Sequence, residues 1–228
     1  MNKFLFLTIV CFASFILLSF IVINNSKSHS NSLYFDNIIN FDISLFNAIN
    51  ELHVKLPTEV NQFMIVITLY GREIFLPFVL LLIFIFGGKN GRKTVIITGI
   101  SLLILIPGVS LTKDYIERPR PFVPSFDTLM SADTNYSFPS GHSTLIIAGA
   151  LTPLILFKGN KYTKILPIVL VIDAVLVSFS RIYVGVHYPF DVLGGFFLGS
   201  GISLLIIYLI NNIPKIRNII GNYKFKNF

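Results

Sequence analysis

The sequence predicts an all-α membrane protein, with six transmembrane helices and an interfacial amphipathic helix in the first outer loop. Three observations carry that prediction. Of 228 residues, 54% are hydrophobic and 13% charged, and a mean hydropathy of +0.75 is far too apolar for a soluble domain of this size. Six apolar runs approach the roughly 20 residues needed to cross about 30 Å of hydrocarbon. Basic residues concentrate in every second connection between those runs, the bias that cytoplasmic loops carry.

The first run, 4–23, follows Lys3. It is long for a signal peptide and no small-residue cleavage site follows it, so it reads as a retained anchor. It contains Cys11, the single cysteine, which rules out an intramolecular disulfide. The loop 24–62 is too long for a bare connection. Ile38, Phe41, Leu45, Ile49 and Leu52 recur there every three or four residues, which predicts a helix with one apolar stripe packed over the bundle. The second and third runs are 63–86 and 94–111. The fourth and fifth, 143–157 and 165–180, are short enough that their helices must extend into flanking residues. The sixth, 191–211, carries Gly195 and Gly199, a small-x-x-x-small pattern that predicts close packing on a neighbouring helix. The basic segment after Pro214 is expected to lie on the surface, drawn to anionic headgroups. No internal repeat or low-complexity stretch divides the chain, so residues 1–228 read as one domain.

If six helices alternate, Lys3, then Lys89, Arg92 and Lys93, then Lys158, Lys161 and Lys164, then Lys215, Arg217, Lys224 and Lys226 share one side. The positive-inside bias makes that side cytoplasmic, together with both termini. Nearly every acid falls opposite: Asp36, Asp42, Glu51, Glu59, Asp114, Glu117, Asp127 and Asp133. The net charge of +7 is scattered between apolar runs, with no long basic patch or interleaved aromatics. Nucleic acid is thereby excluded as a partner, and no feature calls for an obligatory protein partner.

Three blocks of reactive residues stand on the outer side. Lys113 and Arg120-Pro121 form one, Pro139-Ser140-Gly141-His142 the second, and Ser180-Arg181 with His187 and Asp191 the third. Ser140 and Gly141 precede the fourth run, so the N–H groups of a turn and a new helix point outward, where they can hold phosphate oxygens. Gly141 lets the backbone come close. Taken alone, that block reads more simply as an N-cap serine beside an interfacial histidine. Pro189 suits the first turn of the sixth helix, with His187 at its mouth and Asp191 just inside. The carboxylate can then accept a hydrogen bond from one ring nitrogen while the other attacks. Lys113, Arg120 and Arg181 could merely snorkel, as many cations at helix ends do. Snorkelling does not explain their company: the four fixed positions of the last block recur by chance in about one window in 10^5.

These blocks resemble the motifs of the type 2 phosphatidic acid phosphatase superfamily of membrane lipid phosphatases. Those motifs read K-x-x-x-x-x-x-R-P, P-S-G-H and S-R-x-x-x-x-x-H-x-x-x-D, and every position is matched. The resemblance implies that His187 attacks phosphorus and becomes a phosphohistidine, while Asp191 fixes its tautomer. His142 protonates the leaving oxygen and then serves as base for water. Lys113, Arg120 and Arg181, with the amides around Ser140 and Gly141, neutralise the phosphoryl oxygens. It implies no cofactor and no metal, and the outer carboxylates show no tight metal-ligand spacing. The implied substrate is a lipid phosphate or polyprenyl diphosphate embedded among membrane lipids. Undecaprenyl diphosphate phosphatases, phosphatidylglycerophosphate phosphatases and phosphatidic acid phosphatases are not separated by these motifs. Phosphoryl transfer to another lipid would use the same cradle. A non-catalytic lipid-binding role is the third reading, against which the complete set of motif residues stands. The mechanism needs His187 neutral and His142 charged, so kcat/KM is expected to be bell-shaped in pH.

Charges also lie deeper. Arg72 and Glu73 fall near the middle of the second helix and Asp173 near the middle of the fifth. An unpaired charge is expensive there, and their similar depth predicts an Arg72–Asp173 ion pair. Arg118, beside Arg120, is an extra cation with no role assigned by the motifs.

Overall fold

A computed structural model of the chain describes residues 2–27, 33–122, 129 and 134–214. The basic tail beyond Pro214, Asp127 and Asp133 lie outside the described residues. Those described form helices and connections, with no strand among them. α1 is Lys3–Lys27, α2 Leu33–Asn50, α3 Leu52–Lys55, α4 Thr58–Tyr70, α5 Leu76–Phe86, α6 Gly88–Ile116, α7 Gly141–Leu156, α8 Ile165–Tyr183 and α9 Pro189–Asn212. Five segments are long and apolar enough to cross a membrane: Lys3–Asn24, Thr58–Phe86, Gly88–Ile116, Ile165–Tyr183 and Pro189–Asn212. α7, with 16 residues, is shorter.

Helix ends differ from the apolar runs where polar residues continue the backbone ladder. The second spanning segment begins at Thr58, directly after Pro57, whose fixed φ suits a helix entrance. α6 runs through Ile116 rather than ending near 111, which brings Lys113 into its last turn. Between α4 and α5 the chain makes a π-helical turn, Gly71–Phe75. Pro77 explains it: a proline lacks the N–H that would bond the carbonyl four residues back, so the ladder widens there.

α7 is the centre, packed against α6, α8 and α9, while α1 lies along α9 and α2 touches α1, α8 and α9. Its core partners are apolar: Ile146 and Ala150 join Leu76, Ile83, Leu170 and Val177 in one buried cluster. Large side chains on the outside stay uncovered, among them Leu103 and Leu111 at 70% exposure, as a lipid-facing surface requires. The Gly195/Gly199 pattern packs as predicted. A Cβ on Gly195 would stand 2.8 Å from the Ser140 carbonyl oxygen, and one on Gly199 would collide with the Thr144 carbonyl. Replacing Gly199 with leucine is therefore expected to push α9 off α7 and cost about 1–3 kcal/mol or more. Thermal unfolding in detergent checks this against Gly99→Leu, whose site has no atom within 4 Å.

The Arg72–Asp173 ion pair does not form. Asp173 makes no ion pair among the described residues, and its Oδ2 has no hydrogen-bond partner there. Gly71 is the residue that faces Asp173 and Val177. Arg72, one position on and turned by about 100°, pairs with Glu73 and faces a cavity on another side of the helix. Equal depth did not mean equal azimuth.

Candidate active site

The three sequence blocks meet at one end of α6, α7, α8 and α9. A cavity of about 680 Å³ opens there, and Lys113, Arg120, Gly141, His142 and His187 all stand in its wall. Asp191, Ser140 and Arg181 are buried immediately behind it. Each motif residue owes its place to an identifiable local feature.

His187 lies in the short turn between α8 and α9. Gly185 takes φ +84°, a conformation open to glycine, and the chain folds back so that Val186 N–H and His187 N–H both donate to the Arg181 carbonyl at 3.2 Å. The ring is 1% exposed. Its Nδ1 is 3.3 Å from Asp191 Oδ2, and its Nε2 is 3.2 Å from Arg120 Nη1. These partners assign the tautomer: Nδ1–H donates to the carboxylate and the Nε2 lone pair faces the arginine. Burial, reinforced by the nearby Arg181 and Arg120, pushes His187 down to about 3 although Asp191 opposes the shift. The imidazole is thus neutral, with its lone pair aimed at an anion-binding group.

Asp191, in the first turn of α9, is fully satisfied. Oδ2 also accepts from Tyr188 N–H at 2.9 Å, and Oδ1 accepts from Arg118 Nη1 at 2.7 Å. Arg118 reaches in turn to Asp42 on α2, whose other oxygen accepts from Phe190 N–H at 2.8 Å. The guanidinium sits 4.2 Å over the Tyr188 ring. Arg118 is thus the centre of a buried Asp42–Arg118–Asp191 chain ending on His187. Burial raises the Asp42 carboxyl, and the Arg118 charge and hydrogen bond pull against that rise.

The remaining cradle is equally fixed. Arg120 donates to the Asn135 carbonyl at 2.9 Å, to Asn135 Oδ1 at 2.5 Å and to the Val186 carbonyl at 2.8 Å. Lys113 donates to the Tyr136 carbonyl and lies 3.4 Å from Asn135 Oδ1. Asn135 therefore sets the spacing of two cations. Arg181 is anchored on α4, its Nη1 donating to Thr68 Oγ1 at 3.0 Å. Ser140 caps α7, its Oγ accepting from Ser143 N–H at 3.4 Å, while its own N–H donates to the Asp191 carbonyl at 2.9 Å. That bond ties the second block to the third. A Cβ on Gly141 would meet only Val109, at an ordinary 3.5 Å, so the protein itself leaves room there for a ligand.

Sequence reasoning missed Asp42, Thr68 and Asn135 and left Arg118 open. None carries a motif signal, because each acts through a contact between residues distant in the chain. Arg118 did offer a hint, a second cation within the first block.

Residues 93–215 match the PAP2 superfamily. A relative from Sulfolobus acidocaldarius, named as an undecaprenyl-diphosphatase, is 39% identical over 77% of this chain and 82% of its own. The chain belongs to the PAP2 superfamily. It is a membrane lipid phosphatase of that type. The phosphatidylglycerophosphatase B of Bacillus subtilis is 37% identical over half of this chain and 57% of its own. Among solved PAP2 structures, the phosphatidylglycerolphosphate phosphatase from Bacillus subtilis aligns with a TM-score of 0.63 at 27% identity, covering 92% of this chain and 98% of that one. The structure of LpxE from Aquifex aeolicus aligns with a TM-score of 0.55 at 25% identity, covering 73% and 94%.

Proposed function

We propose that this PAP2 phosphatase hydrolyses a polyprenyl diphosphate or another lipid phosphate at the outer membrane face, through a phosphohistidine at His187. The observation that carries the reading is the His187 ring, held by Asp191 on Nδ1 with Nε2 3.2 Å from Arg120 in the cavity wall. Leu69, Ile106, Val109 and Leu145 form the apolar part of that wall, fitting a substrate that keeps its chain in lipid. The relation to undecaprenyl-diphosphatases favours the polyprenyl diphosphate.

In the first step the Nε2 lone pair attacks phosphorus, the bond to the leaving oxygen breaks, and His142 gives that oxygen a proton. Water then attacks the phosphohistidine, loses its proton to His142 and releases inorganic phosphate as the P–N bond breaks. Lys113, Arg120 and Arg181 hold the phosphoryl oxygens, together with the N–H groups at the start of α7. Side-chain cations supply the charge stabilisation, so the mechanism needs no metal ion. For topology, α7 crosses as the sixth span. The ends bearing Lys89, Arg92, Lys158 and Lys161 are cytoplasmic, the termini are cytoplasmic, and the cavity opens outward. α2 lies in the outer interface.

Phosphate release by the purified protein in EDTA, from polyprenyl diphosphate, phosphatidic acid and phosphatidylglycerophosphate, tests the reading. Release that survives EDTA is expected. Release that appears only after a lipid or glycan acceptor is added would replace hydrolysis with transfer.

The pH profile gives an independent check. A histidine held near 3 when folded, against about 6.5 when free, is neutral throughout the physiological range, and protonation below its folded value removes the nucleophile. The acid limb of kcat/KM belonging to His187 is therefore expected well below pH 6. Neutral burial also means that this group's contribution to stability falls as pH drops through the same window. A His187 titration near 6.5, followed by NMR of the free enzyme, would contradict the burial argument.

A further inference from the structure

Arg72 stands in the wall of the reaction cavity, yet it belongs to none of the three motif blocks. It is the fifteenth of the 29 residues in Thr58–Phe86, a depth at which a guanidinium is costly without a purpose. Two features of the backbone direct it there. Gly71 takes up the close contact with α8, and the π-helical turn carries the next side chain round into the cavity.

Its height relative to the phosphate cradle is set by Thr68. That hydroxyl accepts from Arg181 at 3.0 Å and so marks the level of the cradle. The Arg72 backbone, four residues on, is about 6 Å further along the helix axis, toward the middle of the span, the direction from which a lipid chain must approach. His142, the proposed donor to the leaving oxygen, stands in the wall of the same cavity. Glu73 bonds Arg72 through Nη2 and is half exposed. A guanidinium offers five donors in a planar fork, so this pairing is compatible with a phosphate oxygen as a further partner.

We propose that Arg72 forms a second phosphate subsite, one that binds the lipid-proximal phosphate of a diphosphate ester while Lys113, Arg120 and Arg181 hold the terminal phosphate. The subsite rests on the reading of His187 as the nucleophile. Attack on the terminal phosphorus breaks its bond to the bridging oxygen, and the electron pair departs on the lipid monophosphate. Negative charge therefore grows on a phosphate beside Arg72. With a lipid monophosphate the leaving group is an alcohol, and nothing occupies the subsite. Arg72 thus stabilises the transition state for diphosphates selectively.

Farnesyl diphosphate and farnesyl monophosphate, which share one chain, are the probes, tested on the wild type, Arg72→Gln, Arg72→Lys and Glu73→Gln. Arg72→Gln is expected to lower kcat/KM for the diphosphate about 10²-fold and for the monophosphate by less than about 3-fold. Arg72→Lys, which keeps charge without the fork, is expected to fall between. Glu73→Gln should keep the preference for the diphosphate. Equal losses on both esters, or none on either, would overturn the subsite and leave Arg72–Glu73 a structural pair. If Arg72→Gln does not fold, the diphosphate-to-monophosphate ratio of Arg72→Lys decides, and an unchanged ratio overturns the proposal. A wild type that releases no phosphate from either ester would instead overturn the hydrolase reading, an active His187→Ala would overturn the phosphohistidine reading, and either would take the subsite with it.

Discussion

Replacing His187 with alanine is expected to lower kcat/KM by at least about 10^4-fold, the scale seen when a covalent nucleophile is removed from a unit that acts together. The loss belongs to chemistry and not to folding. Asp191 keeps its bonds from Arg118 Nη1 at 2.7 Å and Tyr188 N–H at 2.9 Å without the imidazole, so no buried carboxylate is orphaned. Arg120 likewise keeps its three bonds to Asn135 and the Val186 carbonyl. The variant should therefore remain folded and still bind lipid phosphate, with the defect in kcat. A second measurement separates a nucleophile from a merely electrostatic histidine. Wild-type protein quenched in base during turnover of a substrate carrying ³²P in its terminal phosphate should retain label on protein, and His187→Ala should retain none. Turnover within tenfold of wild type in the variant would remove the phosphohistidine mechanism.

How much of this was legible beforehand depended on the range of each interaction. Apolar length is local, so the runs were found; their ends were not, because polar residues such as Lys113 and Thr58 continue helices that hydropathy alone cuts short. The motif residues were legible as chemistry. Gly195 and Gly199 were legible as packing, since small residues at that spacing have little other use in a spanning helix. Azimuth was not. Nothing in the sequence says that Gly71 rather than Arg72 faces Asp173, because the π-helical turn changes the rotation per residue. The link between Asp42 and Arg118 joins positions 76 apart, one on α2 and the other just past the end of α6, and no periodicity reports it.

Arg118→Leu is expected to be the most damaging change outside the motif positions, for a reason that can be worked out from charge alone. Asp42 and Asp191 are both fully buried, and one guanidinium serves both. Buried as a set, two carboxylates and one arginine carry a net charge of about −1; without the arginine they carry −2 in a low-dielectric setting. Removing one partner of such a group typically costs about 3–5 kcal/mol, because a desolvated charge is left uncompensated. Asp42→Asn takes away one negative charge and leaves Arg118 paired with Asp191, so it should be far milder, within a few-fold of wild type in kcat/KM. The double variant restores the net charge of −1, and it is expected to be more stable than Arg118→Leu alone. That inversion, a second substitution that rescues the first, is the signature of a charge network in a double-mutant cycle. Additive losses in thermal unfolding would mean that Arg118 acts by filling space over Tyr188 instead. Activity gives the complementary test, since loss of the Arg118 bond frees Asp191 to move and His187 turns with it. Arg118→Leu should therefore lower kcat more than KM changes, and Arg118→Lys should recover part of kcat without the two-pronged geometry.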